Sequence, residues 1–256
     1  MNKSAFRKLY WVLATALIFI HVPFVFGNIE TAAHPMANIN SKTSNTRISL
    51  SRNDAKGFTS GIYDSLRLAS LGLTRQAYDY AMKGFSYLLS AGKLNNDKII
   101  SIVDFSLPSS KKRLFILDLE NCRMLFNTYV AHGRNSGKDK ATAFSNKGES
   151  FQSSLGFYIT QDTYTGKHGY SLHLEGEERG FNDNARNREI VMHSAPYVNE
   201  SLIHSQGYIG RSLGCPAVPE NLHKSIIEKI KNGSCLFMYS PDKYYAAHSA
   251  LLQSVS

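Results

Sequence analysis

Between Ser60 and Gly92 the apolar positions recur every three or four residues. In "SGIYDSLRLASLGLTRQAYDYAMKGFSYLLSAG", Ile62, Leu66, Ala69 and Leu73 mark one face, and Ala77, Tyr80, Ala81, Phe85, Leu88 and Leu89 mark another. The spacing predicts two short helices, the second capped by Thr74 and closed near Gly92. From Ile99 the texture changes to β-branched and aromatic runs, "KIISIVDFSL" and "RLFILDLENCRMLFNTYVAHG", broken at Pro108 and the serines beside it. These predict strands, with "DLEN" turning a hairpin between Phe115–Leu117 and Met124–Val130. Shorter strands are expected at Phe157–Thr160, Ser171–Leu174, Ile190–Met192 and Cys235–Tyr239. A helix is expected over Asn221–Lys231, with Ile226, Ile227 and Ile230 on its apolar side and Gly233 after its end. The pattern describes a mainly β domain behind a short helical N-terminal segment. Neither a Gly-rich phosphate loop nor the strand–helix alternation of a nucleotide-binding sheet is present.

Ahead of these elements, "MNKSAFRKLYWVLATALIFIHVPFVFGN" sets Lys3, Arg7 and Lys8 before an apolar run from Leu9 to Phe26. Residues 1–27 are expected to be a signal peptide or, if uncut, a membrane anchor with an exported remainder. The alternative is a buried N-terminal helix. Val25 with Gly27, or Thr31 with Ala33, supplies the small-residue spacing of a cleavage site. Residues 28–57 are rich in Asn, Ser, Thr and Ala and are expected to be a flexible leader.

At 256 residues, 43% hydrophobic and 19% charged, the chain is long enough for one sizeable domain and a smaller appendage. Its formal net charge is +9, or about +6 without residues 1–27. That balance suits polyanionic surroundings: nucleic acid, acidic lipid or a polyanionic wall. The absence of zinc-finger spacing, of an Arg/Lys stripe and of aromatic–basic motifs argues against nucleic acid. Cys122, Cys215 and Cys235 are too few for a disulfide scaffold, although Cys122 and Cys235 could bridge.

Cys215 lies in "GRSLGCPAVP", between a glycine and a proline. Such a turn can expose a sulfur and aim backbone amides at a carbonyl oxygen. Histidine is the natural base near neutral pH, and His193 and His204 precede the cysteine. His193, at the end of the strand-like "REIVM", is the more rigidly held, with Ser194 and nearby carbonyls to orient it; His204 could help form the pocket. The alternative is a structural thiol and a satisfied polar histidine. His132, His168 and His173, with Asp162 or Glu175, could surround a metal, but no compact ligand motif supports a site. Tyr158 and Tyr170 could line a groove or pack in the strands. Arg179, Arg186 and Arg188 form a basic loop group, either a solvated face or a recognition patch.

"IVMHSAPYV" followed by "GRSLGCPAVP" resembles the catalytic core of the murein L,D-transpeptidases of the YkuD-like superfamily, in particular a divergent murein L,D-transpeptidase catalytic domain branch. "HGRNSG", "AFSNKGES", "SSLGFYIT" and "GKHGYSLHLEG" resemble it too, in that order along the chain, and the likeness covers roughly Phe58 to Asp242. Two departures stand out. Leu213 replaces the family's second histidine, and Pro216, Ala217 and Val218 stand where an arginine commonly follows the cysteine. The resemblance implies a β-sandwich catalytic domain over 96–243, after a helical segment over 58–95 and before a C-terminal tail over 244–256.

By the same resemblance, Cys215 is the nucleophile, His193 the general base and Ser194 the residue that orients it. Gly214 and Cys215 supply oxyanion-hole amides. Arg211, Ser212, Leu213, His204 and Tyr170 are candidate substrate contacts, with no metal and no cofactor. The implied partners are peptidoglycan stem peptides, without nucleic acid, and with membrane association through the N-terminal segment. The implied reaction is acyl transfer to an amine in the periplasm or cell envelope. The alternatives are an L,D-carboxypeptidase or other cysteine amidase acting on the same stems, and a non-catalytic wall-binding domain.

Overall fold

The computed structural model describes residues 61–254. The expected export segment and the leader lie outside them. Within them, the chain is helical at 61–65 and continues through turns to 72 rather than as a regular helix. Arg67 adopts φ 50° there. Leu68 is buried and Ala69 exposed, the reverse of the helical expectation. The regular helix α1, Arg75–Ser90, begins where expected. Thr74 accepts from the Ala77 amide, and its own amide and hydroxyl donate to Asp104 Oδ2 at 3.1 and 2.7 Å. The cap therefore stabilises the helix start and ties it to the first strand of the sheet. The chain leaves α1 through Gly92, with the Lys93 amide donating to Leu88 O at 2.9 Å. Ala77, Ala81, Phe85 and Leu88 are buried as the periodicity requires, but Leu89 points outward and is 43% exposed.

The strands are β1 (Ile99–Asp104), β2 (Leu114–Asp118), β3 (Arg123–Thr128), β4 (Gly156–Gly166), β5 (Gly169–Gly176), β6 (Val191–Ser194), β7 (Ala217–Val218) and β8 (Cys235–Tyr239). They form one eight-stranded sheet in the order β3-β2-β1-β8-β4-β5-β6-β7. The anticipated hairpin is β2–β3. Between the strands lie α2 (Glu200–Gln206) and α3 (His223–Ile230), and α4 (Lys243–His248) and α5 (Ala250–Gln253) follow β8. Ile226, Ile227 and Ile230 face inward from α3 as expected.

The architecture is mixed α/β, not the expected mainly β sandwich with a short helical N-terminal segment. The reason lies at the two sheet edges. Past β3, Ala131 bridges Ala217 of β7, and the Ala131 amide donates to Ala217 O at 2.8 Å. That contact curls the sheet until its edges nearly close. Helices from both ends of the chain then cover it. The residues expected as a C-terminal tail carry α4 and α5, with Leu251 and Leu252 buried. Buried Glu178 holds them, accepting from Tyr245 Oη at 2.8 Å and from Ser249 Oγ, while its Oε2 also accepts the Phe157 amide at 2.8 Å. Burial raises this carboxyl's pKa against those hydrogen bonds.

At the centre, Phe157 of β4 and Phe237 of β8 face each other in register and stack at 4.1 Å. Helix α1 lies so close above them that a Cβ on Gly84 would sit 2.0 Å from Phe157 Cζ. Alanine is the better helix former, so Gly84→Ala would stabilise a free-standing helix. Here the methyl must displace a locked ring, which costs about 1–3 kcal/mol in comparable overpacked cores. Gly84→Ala is expected to lower the melting temperature by several degrees in a thermal scan. A rise would show that α1 does not pack on Phe157 this closely.

Candidate active site

His193 and Cys215 come together through the sheet register. β6 and β7 run parallel, with His193 opposite Ala217 and Ser194 opposite Val218. Two residues back along each segment, Cys215 comes abreast of Val191, whose backbone amide favours the ionised sulfur. The thiol donates to Glu189 O at 3.6 Å. His193 is buried, and its Nδ1 lies 2.8 Å from Ser194 O. A donor proton on Nδ1 suits that carbonyl and leaves Nε2 as the basic nitrogen. The orienting group is thus the main-chain carbonyl of Ser194.

The cysteine loop is stapled to the 131–134 segment that follows β3. The Ser212 amide donates to His132 O at 2.9 Å, and the Arg134 amide to Ser212 O at 2.8 Å. Ser212 Oγ donates to Cys215 O at 2.6 Å and accepts the Gly214 amide at 3.0 Å. Of the two amides expected to receive an oxyanion, that of Gly214 is therefore engaged inside the loop. Gly214 has φ +129°, and a Cβ there would meet Gln152 O at 2.9 Å, so this turn requires glycine. Ser153 Oγ accepts the Gly133 amide and donates to Gly214 O, both at 3.1 Å.

A second layer lies beneath. Arg113 is completely buried and donates to Val130 O, Leu107 O and His132 Nδ1, the last at 2.6 Å. His132 Nε2 faces Gly137 O at 3.2 Å. Accepting from a guanidinium requires an unprotonated Nδ1, so this ring is neutral. Burial and the Arg113 charge push its pKa down to about 4.

Both chain segments open onto a cleft of about 740 Å³, bounded by the β4–β5 hairpin, residues 186–191 and the cysteine loop. β4 leaves β8 after Ile159, and an irregularity between Thr160 and Thr163 bends the hairpin toward the cleft. Lys167 and His168 line the cleft at the hairpin tip. His168 stacks on His193 at 4.4 Å. Burial first, and the neighbouring His168 charge second, lower the His193 pKa against the Ser194 hydrogen bond. Desolvation raises the Cys215 thiol, offset in part by the Val191 amide and the Arg188 charge. Cationic Lys167, Arg186, Arg188 and Arg211 line the cleft against one carboxylate, Glu189.

Arg211, Ser212 and exposed Leu213 line the cleft, as do His193 and Cys215. Arg211 Nη1 donates to Arg134 O and Gly137 O at 3.2 and 3.1 Å. His204 lies exposed on α2, outside the cleft lining, and Tyr170 instead donates to Glu228 of α3. Tyr158 is buried, donating to Ser154 O. Of the basic loop, Arg179 is exposed outside the lining, whereas Arg186 and Arg188 line the cleft. The histidines considered for metal separate, with His132 on Arg113, His168 on His193 and His173 on Asp162 at 3.1 Å. Among the described residues no group of three or more His, Cys, Asp or Glu could hold a metal ion. All three cysteines are free, Cys122 exposed at a turn and Cys235 buried within β8, so the Cys122–Cys235 bridge does not form. Sequence reasoning missed Tyr197, whose ring walls the cleft beside Cys215, because its role follows only from a turn packed against Gly210.

A family model described as the L,D-transpeptidase catalytic domain matches residues 70–239. The chain belongs to this family. Among solved structures it is similar to an L,D-transpeptidase from Mycobacterium smegmatis, with TM-score 0.35 and 12% identity over 56% of this chain and 59% of that one. For an L,D-transpeptidase from Mycobacterium tuberculosis H37Rv the values are 0.33, 11%, 56% and 58%. For one from Stackebrandtia nassauensis they are 0.34, 13%, 65% and 68%. The chain thus spans about three fifths of the first structures' length, and family membership rests on the family model alone. No curated protein matches the chain. Among the described residues no helix is long and apolar enough to cross a membrane.

Two pH effects follow. His132 has a folded pKa below its unfolded value, so its contribution to stability is present above pH 6.5 and lost as pH falls toward about 4. The midpoint of denaturant unfolding is expected to fall as pH drops through that window, and less steeply in His132→Gln. An equal slope in both proteins would remove His132 as the cause. By proton NMR, His193 is expected to titrate below 6.5, and His168→Ala is expected to raise its midpoint. A midpoint at or above 6.5 in the unaltered protein would contradict the burial described here.

Proposed function

We propose that this protein is an exported peptidoglycan L,D-transpeptidase with Cys215 as nucleophile and His193 as general base. The observation that supports this reading most is the shared cleft, in which His193 is anchored through Nδ1 and keeps Nε2 for proton transfer. Nε2 takes the thiol proton, and the sulfur attacks the carbonyl that follows the L-centre of the third stem residue. The Cys215 amide faces the resulting oxyanion. The C–N bond breaks, the D-residue leaves as an amine carrying the proton from His193, and a thioester remains. The amine of a second stem then attacks the thioester and gives its proton to His193. The C–S bond breaks and the cross-link forms. Water in place of that amine makes the same enzyme a carboxypeptidase. Lys167, Arg186 and Arg211 of the cleft suit the stem's carboxylates. Export through residues 1–27 would place the domain in the periplasm or cell envelope, where this polymer lies.

The test is incubation of the purified protein and of Cys215→Ala with disaccharide tetrapeptide, followed by mass spectrometry. A cross-linked dimer is expected from the unaltered protein, with at least a thousandfold less from Cys215→Ala. Cys215-dependent loss of one D-residue without dimer would make it a carboxypeptidase. Equal turnover in both would remove Cys215 as the nucleophile, and no turnover from either, with an unreactive Cys215, would leave a wall-binding domain.

A further inference from the structure

The cleft contains a half-buried cation without a carboxylate. Arg188 Nη1 donates to Ser145 O at 2.7 Å and to Ser154 Oγ. Its Nη2 donates to Gln152 O at 2.7 Å and Ser150 Oγ at 3.3 Å. All four acceptors are neutral. The ion pairs found among the described residues do not include Arg188. Two groups able to carry negative charge act on it, Tyr158 and Cys215. Tyr158 is fully buried, donates its hydroxyl to Ser154 O and is pushed well above the usual phenol range, so it stays neutral. Cys215 remains.

The packing is close. A Cβ on Gly214, the residue before Cys215, would lie 3.3 Å from Arg188 Nη2. The guanidinium therefore sits against the backbone of the nucleophile's turn, held there by the 145–154 loop. Taking Cys215 as the nucleophile proposed above, we infer that Arg188 is the fixed counter-ion of the Cys215 thiolate and a positioning residue for its turn.

A desolvated guanidinium is costly until an anion faces it, and in this site the anion is made by ionising the cysteine. The other groups around the sulfur do not supply this charge. Exposed Glu189 acts in the opposite sense, and Tyr197 is neutral, its pKa pushed up to about 12 by burial. Burial and the stacked His168 disfavour charge on His193. Arg211 is tied to Arg134 O and Gly137 O, and Lys167 and Arg186 are exposed at the cleft rim. The arrangement gives the thiolate a permanent partner once its proton has passed to His193. It also provides a cation in space where none follows the cysteine in sequence, since Pro216, Ala217 and Val218 stand there.

The test is the pH dependence of iodoacetamide alkylation at Cys215, resolved by peptide mass spectrometry in the full-length protein. Arg188→Met is expected to raise the midpoint by about one pH unit or more, slowing alkylation at pH 7 about tenfold. Arg188→Lys is expected to keep most of the midpoint, and Glu189→Gln to lower it. If Arg188→Met does not fold by thermal scan, Arg188→Gln, which keeps an amide donor toward the 145–154 loop, carries the same comparison. An unchanged midpoint in Arg188→Met or Arg188→Gln, with only a lower melting temperature, overturns the inference and leaves a structural arginine. Alkylation needs no peptidoglycan. A shifted midpoint without cross-linking would therefore refute the transpeptidase reading and not this one, and cross-linking with an unshifted midpoint would do the reverse.

Discussion

The two residues of β7 hold the site together. Ala217 accepts from Ala131 of the segment that follows β3 and lies opposite His193 on β6. Without that double engagement the sheet edges would not approach each other, and the cysteine turn would be a free loop. With it, the turn is bounded on one side by a strand carrying an imidazole and on the other by the 131–134 segment. Backbone hydrogen bonds impose this geometry, so it tolerates different side chains at many surrounding positions.

The turn itself is over-determined. Ser212, Ser153, Gly133 and Gly214 form a short circuit of hydrogen bonds around it, and buried Arg113 and His132 brace the segment that anchors it. Such a network is useful only when every member is satisfied, because an unpaired polar group in this environment is costly. Charge has a separate role. The cleft is cationic, its histidine is pushed toward neutrality and its thiol is desolvated, so whatever stabilises the thiolate decides whether the cysteine is a nucleophile or an inert sulfur.

Much of the scaffold was legible along the chain. Helix α1, the β2–β3 hairpin and the apolar side of α3 follow from local periodicity and capping, which depend on neighbours three or four residues away. The turns at 66–72 were not, because Leu68 is buried in the main core and not placed by helical spacing. The same holds for α4 and α5, short segments whose order depends on the distant carboxylate of Glu178.

For the site, the sequence by itself determined the family resemblance, the glycine–cysteine turn and a histidine at a strand end. These are local in sequence and carry their own chemistry. Only the tertiary structure decided the rest. It placed Arg188 under the turn and His168 on His193, moved Tyr170 to a contact with α3, put His204 outside the cleft, and set the Ser194 carbonyl against His193 Nδ1. Each of these depends on which strands become neighbours when the sheet curls, and that is set by long-range backbone pairing that no local pattern encodes.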